Sequence, residues 1–193
     1  MAHKFNPQEY WKLETPERKK LLPPIELLQM LGLSRQDVFV DIGCGIGYFT
    51  IPALEILDPE AVVYALDTSE LLLDELSRRL KKEQRGRVRL IKTGEYDLKL
   101  EPESASFAFM STVLHEIDDR PRFLREVWKL LIPDGRLAVI EWEKKSSEVG
   151  PHFHHRIGRD EVEELLTNEG FFVVQRPGIR RELYGIVGLK SSS

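Results

Sequence analysis

The sequence has little of what several protein classes require. Its 193 residues include one cysteine, Cys44, so neither an internal disulfide nor a cysteine-rich metal site can be built. No stretch approaches the roughly 20 apolar residues that span a bilayer, and the N-terminal residues contain no apolar signal-peptide core. These absences favour a soluble, cytoplasmic protein with no membrane partner.

The chain also lacks a strong excess of charge of either sign. The chain carries 28 basic and 32 acidic residues, a formal net charge of -4, so the overall balance does not favour nucleic acid as a partner. A basic run extends from Arg78 to Arg89, but it lacks the interleaved aromatic residues that stack on bases. Because cations stabilise the carboxyl end of a helix, we interpret this run as a solvated helix end.

Strands and helices are predicted to alternate after an N-terminal helical segment over residues 1–36. In that segment Thr15 is the expected N-cap before Pro16, and Pro23 with Pro24 interrupts the helix. The expected strands cover 37–41, 61–67, 87–92, 106–110 and 136–142, and the expected helices cover 46–57, 69–84, 119–131 and 159–169. Alternation of this length predicts a parallel sheet covered by helices on both faces.

The end of the chain departs from this alternation. Two further strands, over 171–175 and 182–189, follow each other with no helix between them. Consecutive strands with a short connection are antiparallel neighbours, so the sheet is expected to end in an antiparallel pair.

A glycine-rich turn follows the first predicted strand and is the most informative feature of the chain. After Asp41 three glycines alternate with other residues: Gly43, Gly45 and Gly47. Glycine allows a sharp turn and lets a ligand approach the main chain without a Cβ in the way. The dinucleotide pattern G-x-G-x-x-G would require glycine at the position of Tyr48, and the sequence has no phosphate-binding P-loop pattern.

Two acids narrow the choice of ligand. Asp41 would repel a pyrophosphate, but it suits a ligand with an ammonium or sulfonium group. Asp67 ends the second predicted strand, where an acid accepts hydrogen bonds from ribose hydroxyls. S-adenosylmethionine has both cationic groups and a ribose, so the pattern favours this cofactor.

The ensemble of motifs resembles the class I S-adenosylmethionine-dependent methyltransferases. It looks closest to the small branch typified by ubiquinone and menaquinone methyltransferases. The resemblance covers about residues 36–190 and rests on segments 41–47, 92–97, 107–115 and 130–137 and on Asp67. It implies a Rossmann-like α/β fold over 37–190, with seven strands in the order 3-2-1-4-5-7-6 and the last strand antiparallel.

The resemblance also implies a set of cofactor-binding residues. Cys44 would contribute through its backbone, and Glu95 stands where the family usually has aspartate at the adenine end. Asp134 departs from the family pattern in the turn before the fifth strand, where glycine is usual. The implied cofactor-binding residues are Asp41, Gly43, Cys44, Gly45, Asp67, Thr68, Glu95, Tyr96 and Ser111.

His115 follows the fourth predicted strand and is the candidate catalytic residue. It could serve as a general base or hydrogen-bond the acceptor, and it could equally be a helix-capping or packing histidine. Tyr10, Trp142 and His154 are expected to line the acceptor site. No metal site is expected, although three histidines lie between residues 152 and 155.

The predicted function is methyl transfer to a small-molecule acceptor. Arsenite is disfavoured as an acceptor because its chemistry uses several cysteine thiolates and the chain has one. A non-catalytic protein that binds S-adenosylmethionine or S-adenosylhomocysteine as a sensor or scaffold is the alternative from another class. The sequence leaves the oligomeric state open.

Overall fold

Eight β-strands and six α-helices make up the computed structural model, which describes residues 4–147 and 149–191. The first three residues of the predicted N-terminal segment and the last two of the chain lie outside the described residues. The strands are β1 (Phe39–Ile42), β2 (Val63–Asp67), β3 (Val88–Lys92), β4 (Ala105–Ser111), β5 (Leu131–Trp142), β6 (Phe171–Gln175), β7 (Gly178–Arg180) and β8 (Leu183–Lys190). The helices are α1 (Pro16–Leu21), α2 (Pro24–Met30), α3 (Thr50–Ile56), α4 (Glu70–Arg79), α5 (Arg120–Leu130) and α6 (Arg159–Asn168). Short 3-10 helices cover Pro7–Glu14, Leu114–Glu116 and Phe153–His155.

The strands form one mixed sheet in the order β3-β2-β1-β4-β5-β8-β6, and β7 pairs with β8. Strands β1 to β5 pair in parallel, whereas β8 is antiparallel to β5 and to β6. With the short β7 set aside, this is the predicted order, and the Rossmann-like α/β fold is confirmed. The sequence analysis missed β7 because its three residues are too few to show an alternating pattern.

Apolar side chains cover both faces of the sheet. Along the fully buried β1, Phe39 packs on one face with Phe107 and Phe109, while Val40 and Ile42 join the core on the other face. The first face carries α2, α3 and α4, and the second carries α5 and α6. Because successive strand residues point to opposite faces, one short apolar run serves two cores.

The N-terminal segment is helical in three short pieces. Thr15 caps α1 by accepting a hydrogen bond from the backbone N–H of Arg18 at 3.2 Å, as predicted. Pro24 begins α2, so the two prolines do interrupt the helix. No helix within the described ranges is long and apolar enough to cross a membrane.

Several predicted boundaries were wrong. Helix α4 ends at Arg79, five residues before the predicted end, because Leu80 turns into the core in an extended conformation. Strand β5 begins at Leu131 rather than at residue 136, and the expected turn around Asp134 is an irregularity within the strand.

The basic run after α4 is less solvated than predicted. Arg87 donates hydrogen bonds to the backbone carbonyls of Leu54, Asp58 and Ala61, so it ties β3 to the end of α3. Arg79 forms ion pairs with two glutamates instead of facing water alone. These two arginines are structural.

Gly47 provides a test of the packing around the glycine-rich turn. Its φ is +83°, and a Cβ at this position would collide with the fully buried Leu76 of α4. We expect Gly47→Ala to lower the free energy of unfolding by about 1–3 kcal/mol, because it adds backbone strain to overpacking. Urea denaturation measures this loss. Gly86→Ala is the matched control, since a Cβ there meets nothing within 4 Å, and an equal loss in both variants would contradict the prediction.

Candidate active site

The glycine-rich turn connects β1 to α3 at the carboxyl edge of the sheet. The N–H groups of Gly43 and Cys44 both donate to the carbonyl of Leu66, at 2.8 and 2.9 Å, and fix the turn against the end of β2. A Cβ on Gly43, whose φ is +70°, would lie 2.5 Å from Val113 in the loop after β4. Glycine is therefore required where the two loops approach each other. Ligands of open α/β sheets bind at this edge, where the order of neighbouring strands reverses.

Asp41 is the penultimate residue of β1 and lies next to the turn. Its side chain is buried and accepts a 2.6 Å hydrogen bond from the Thr50 hydroxyl at the start of α3. Burial, reinforced by the nearby charge of Asp67, raises the pKa of Asp41 to about 7. A cationic ligand would therefore stabilise the ionised form of this carboxyl group and lower its pKa. Thr50 was missed in the sequence, where it resembles any helix residue.

Asp67 ends β2 and holds the turn directly. One carboxylate oxygen accepts from the N–H of Gly45 at 2.9 Å, and the other accepts from the N–H of Ser69 at 2.8 Å. Burial raises the pKa of Asp67 as well, against these two hydrogen bonds. Thr68 follows it and is exposed. Asp67 thus joins the turn to α4, beyond the ribose contact that the sequence analysis expected.

Glu95 and Tyr96 lie in the loop that follows β3. Glu95 accepts hydrogen bonds from the ammonium of Lys4 and from the N–H of Asp118, and the Tyr96 hydroxyl accepts from the N–H of Asp119 at 3.0 Å. Burial opposes ionisation of Glu95, but the hydrogen bond from Lys4 lowers the pKa below its usual range. The pair therefore occupies the β3 side of the site and is anchored to both neighbouring loops.

Ser111 ends β4 and has an orphan hydroxyl. Its Oγ is buried and has no hydrogen-bond partner among the residues that the structure describes. Thr112, the next residue, has a φ of +58°, which turns the chain sharply towards the 3-10 helix Leu114–Glu116. A buried hydroxyl without a partner at this edge suits a polar ligand group.

His115 forms a buried pair with Glu141 at the ends of β4 and β5. Its Nδ1 lies 2.9 and 3.1 Å from the two carboxylate oxygens, and its backbone N–H donates to the same carboxylate at 3.1 Å. Burial alone would lower the pKa of His115, but the charge and hydrogen bond of Glu141 override it and raise the pKa. Glu141 is fully buried and also accepts from the N–H of Trp142. This geometry leaves Nε2 as the ring nitrogen for proton exchange.

Glu141 was missed in the sequence analysis. The available signal was its position, since it is an acid at the carboxyl end of a parallel strand, like Asp41 and Asp67. The neighbouring Trp142, and not Glu141, was predicted to belong to the site.

The N-terminal segment lies across the site. Lys4 pairs with Glu95, and the N–H of Phe5 donates to Glu116 beside His115 at 3.1 Å. The Leu13 side chain lies 3.1 Å from the position that a Cβ on Gly45 would occupy. Tyr10 belongs to the same 3-10 helix, where its ring packs edge to face on the largely exposed Trp11. This segment therefore contacts both the loop that carries Glu95 and the loop that carries His115.

The other two predicted acceptor-site residues occupy different surroundings. Trp142 is 7% exposed, with its ring covered by Gly150 on one side and by Arg156 at 5.6 Å. Arg156 donates to the carbonyls of Glu143, Lys145, Val149 and Pro151 and thereby ties these four residues together. His154 is exposed and stacks on His152 at 5.3 Å. Within 4–147 and 149–191, no group of three or more potential ligand side chains is arranged to hold a metal ion.

Cys44 has no nucleophilic character. It is 5% exposed, and burial together with the charges of Asp41 and Asp67 raises the pKa of its thiol well above the usual range. The thiol therefore stays protonated, and the turn uses the backbone of this residue.

Known proteins match this arrangement. The profile of a family described as a methyltransferase domain matches residues 40–139, which span β1 to β5. The chain belongs to this methyltransferase family. The structure of an S-adenosylmethionine-dependent methyltransferase from Aquifex aeolicus superposes with a TM-score of 0.91 at 26% identity, covering 96% of this chain and 99% of that one. The predicted class I methyltransferase fold and S-adenosylmethionine as the cofactor are thereby confirmed.

The curated relatives of this methyltransferase are longer proteins, and the match covers only part of each. The demethylmenaquinone methyltransferase of Lactococcus lactis is 26% identical over 137 residues, covering 71% of this chain and 50% of the relative. That of Listeria welshimeri is 27% identical over 116 residues, covering 60% and 49%. The chain thus spans about half the length of the curated relatives it matches.

The site of the methyltransferase fits its cofactor. Asp41 is a buried carboxyl group whose ionised form a cation would stabilise, and Ser111 on the neighbouring strand has a buried hydroxyl with no partner among the described residues. The raised pKa values of Asp41, Asp67 and Glu116 share burial as their main cause, and each would fall beside a cation.

Cofactor affinity is expected to depend on pH through Asp41. Because the cofactor's positive charge favours the carboxylate, binding below pH 7 must release a proton, and the affinity for S-adenosylmethionine should fall roughly tenfold between pH 8 and pH 6. In Asp41→Asn the affinity should be lower and its pH dependence smaller. Titration calorimetry at pH 6, 7 and 8 measures both effects.

The same shift has an opposite effect on the ligand-free protein. A raised folded-state pKa means that Asp41 lowers stability as pH rises from about 4 to about 7, so Asp41→Asn should be the more stable protein at pH 8. Asp97→Asn, an exposed acid beside Lys99, is the control and should keep the wild-type pH dependence. An unchanged dependence in Asp41→Asn would refute the assignment.

Proposed function

We propose that this protein transfers the methyl group of S-adenosylmethionine to a small-molecule acceptor that must lose a proton, with His115 receiving that proton. The buried His115–Glu141 pair carries the proposal. A histidine whose Nδ1 is fixed by a carboxylate presents Nε2 in a defined orientation, and this is the arrangement of a general base.

The cofactor supplies an activated methyl group on a sulfonium, so the protein needs mainly to bind, orient and exclude water. We assign Asp41 and the glycine turn to the methionine end, with the backbone of Cys44 included. Asp67 retains lone pairs for a ribose hydroxyl beside its bonds to Gly45 and Ser69. Glu95, with Tyr96, is assigned to the adenine end.

The acceptor class follows from the need for a base. A hydroxyl or an acidic carbon is protonated at neutral pH and requires proton removal, whereas a thiolate does not. The curated relatives are named for demethylmenaquinone, a small molecule, which supports an acceptor of this size. At 26–27% identity over half of those proteins, the name does not extend to the acceptor of this chain.

A non-catalytic sensor of the same fold is the second candidate. It is favoured by the closed state of the site, where Val113 packs on Gly43 and His115 is only 6% exposed beneath Phe5 and Glu116. A sensor would bind the cofactor and form no S-adenosylhomocysteine with any acceptor. An enzyme must open this cover to admit the acceptor.

Turnover of His115→Gln tests the proposal. S-adenosylhomocysteine formation is measured with a panel of phenols, quinols, carbon acids, amines and thiols, and the variant should be about 10²- to 10⁴-fold slower on the true acceptor. His152→Gln changes an exposed histidine that precedes the 3-10 helix Phe153–His155, and this variant should retain wild-type turnover. Unchanged turnover of His115→Gln would exclude the base assignment, and cofactor binding without turnover on any acceptor would favour the sensor.

The pH dependence of His115 can be measured without an acceptor. NMR titration should give a pKa above 6.5 in the wild type, because Glu141 stabilises the imidazolium, and a lower value in Glu141→Gln. The stabilisation from this pair is complete below pH 6.5 and is lost as pH rises through the folded-state pKa. The rate of methyl transfer should also rise with pH, since the base must be neutral. Equal pKa values in both proteins would contradict the proposed coupling.

A further inference from the structure

Arg18 in α1 is only partly exposed, and no carboxylate pairs with it among the residues that the structure describes. Its Nε is buried and has no hydrogen-bond partner in the same part of the chain. The guanidinium lies 5.6 Å from the centre of the Tyr48 ring. Burial lowers the pKa of Arg18, and the neighbouring group that counters this effect is the Tyr48 phenol and not an acid. Such groups are rare in folded proteins, because desolvating an unpaired charge is costly.

Three neighbouring lysines of the N-terminal segment have partners. Lys4 pairs with Glu95, Lys12 with Glu9 and Lys19 with Glu14. Lys20 is exposed to solvent, so Arg18 is distinguished by a buried Nε that has no partner among the described residues.

The position of Arg18 is beside the glycine-rich turn. The Leu13 side chain lies 3.1 Å from the position that a Cβ on Gly45 would occupy, and the Tyr48 hydroxyl donates to the carbonyl of Leu22 at 2.7 Å. The chain between Leu13 and Leu22 therefore runs along the turn. Tyr48, over which Arg18 lies, directly follows the last glycine of that turn.

We infer that the Arg18 guanidinium binds the anionic group, a carboxylate in the simplest case, of a small molecule held at the glycine-rich turn. The planar guanidinium presents parallel N–H donors that match the two oxygens of a carboxylate. Two sources could supply this group. One is the carboxylate of the cofactor's methionine portion, and the other is an acidic group of the acceptor, which rests on the proposed function.

Charge supports the inference. The site concentrates acids, with Asp41, Asp67 and Glu116 all buried enough to have raised pKa values. These acids suit the cationic groups of a zwitterionic ligand but repel its carboxylate. Arg18 supplies the missing charge on the N-terminal side of the turn.

The first arm of the test compares two ligands by titration calorimetry. S-adenosylhomocysteine has the amino-acid carboxylate, whereas 5′-methylthioadenosine keeps the adenosyl thioether and lacks it. If Arg18 binds the cofactor, Arg18→Gln should lose about 10- to 100-fold in affinity for S-adenosylhomocysteine and little for 5′-methylthioadenosine. Arg18→Lys should fall between, and Lys20→Gln, an exposed cation on the same helix, should match the wild type.

The second arm applies if S-adenosylhomocysteine binds both proteins equally. The S-adenosylhomocysteine complex is titrated with benzoate and with inorganic phosphate, and binding that disappears in Arg18→Gln assigns the anion to the acceptor side. If none of these ligands distinguishes Arg18→Gln from the wild type, the inference is wrong. Both arms measure binding alone, so failure to find a methyl acceptor would count against the proposed function and not against this inference.

Stability separates ligand binding from a structural role. Because the charge is desolvated and unpaired, ligand-free Arg18→Gln should melt at the wild-type temperature or above it. A lower melting temperature with unchanged ligand affinities would show that Arg18 only supports Tyr48, and would overturn the inference. Arg18→Lys keeps the comparison available if Arg18→Gln does not fold.

Discussion

The structure depends on carboxylates that are buried where parallel strands end. Asp41, Asp67 and Glu141 close β1, β2 and β5, and each would be costly there without donors. The donors are the Thr50 hydroxyl for Asp41, the N–H groups of Gly45 and Ser69 for Asp67, and the ring and backbone of His115 for Glu141. The cost of burying three acids is thus offset by hydrogen bonds that also fix the geometry of the site.

The same constraint explains the N-terminal segment. A cluster of acids at one edge creates a negative field, and the segment that crosses this edge brings Lys4 to Glu95 and the Phe5 N–H to Glu116. Its 3-10 helix Pro7–Glu14 contains no buried residue, so residues 4–14 are held by polar contacts more than by apolar packing, unlike the buried leucines of α2. Contacts of this kind are individually weak in water, which makes the segment suited to opening when ligands enter or leave.

The fold could be predicted from the sequence because the patterns that indicate it lie in short, contiguous segments. Buried parallel strands appear as apolar runs, and the turn of Gly43 to Gly47 requires conformations that few other residues adopt. It identified His115 but not Glu141, because the two meet only when β4 and β5 lie side by side, 26 residues apart in the chain. It predicted Trp142 in the acceptor site but not the covering of its ring by Gly150 and Arg156, which lie later in the chain. The partners of side chains are properties of tertiary packing, which a single sequence does not display.

Cofactor and base are linked through the same charges. In the ligand-free protein Glu141 and Glu116 raise the pKa of His115, so a smaller fraction of the ring is in the neutral form that can accept a proton. A cation placed beside Glu116 would oppose this effect and lower the pKa of His115. Binding of the sulfonium would also release protons from acids whose pKa is raised by burial, such as Asp41. On this argument the bound methyl donor favours the neutral histidine, so that the cofactor and the base are coupled through charge.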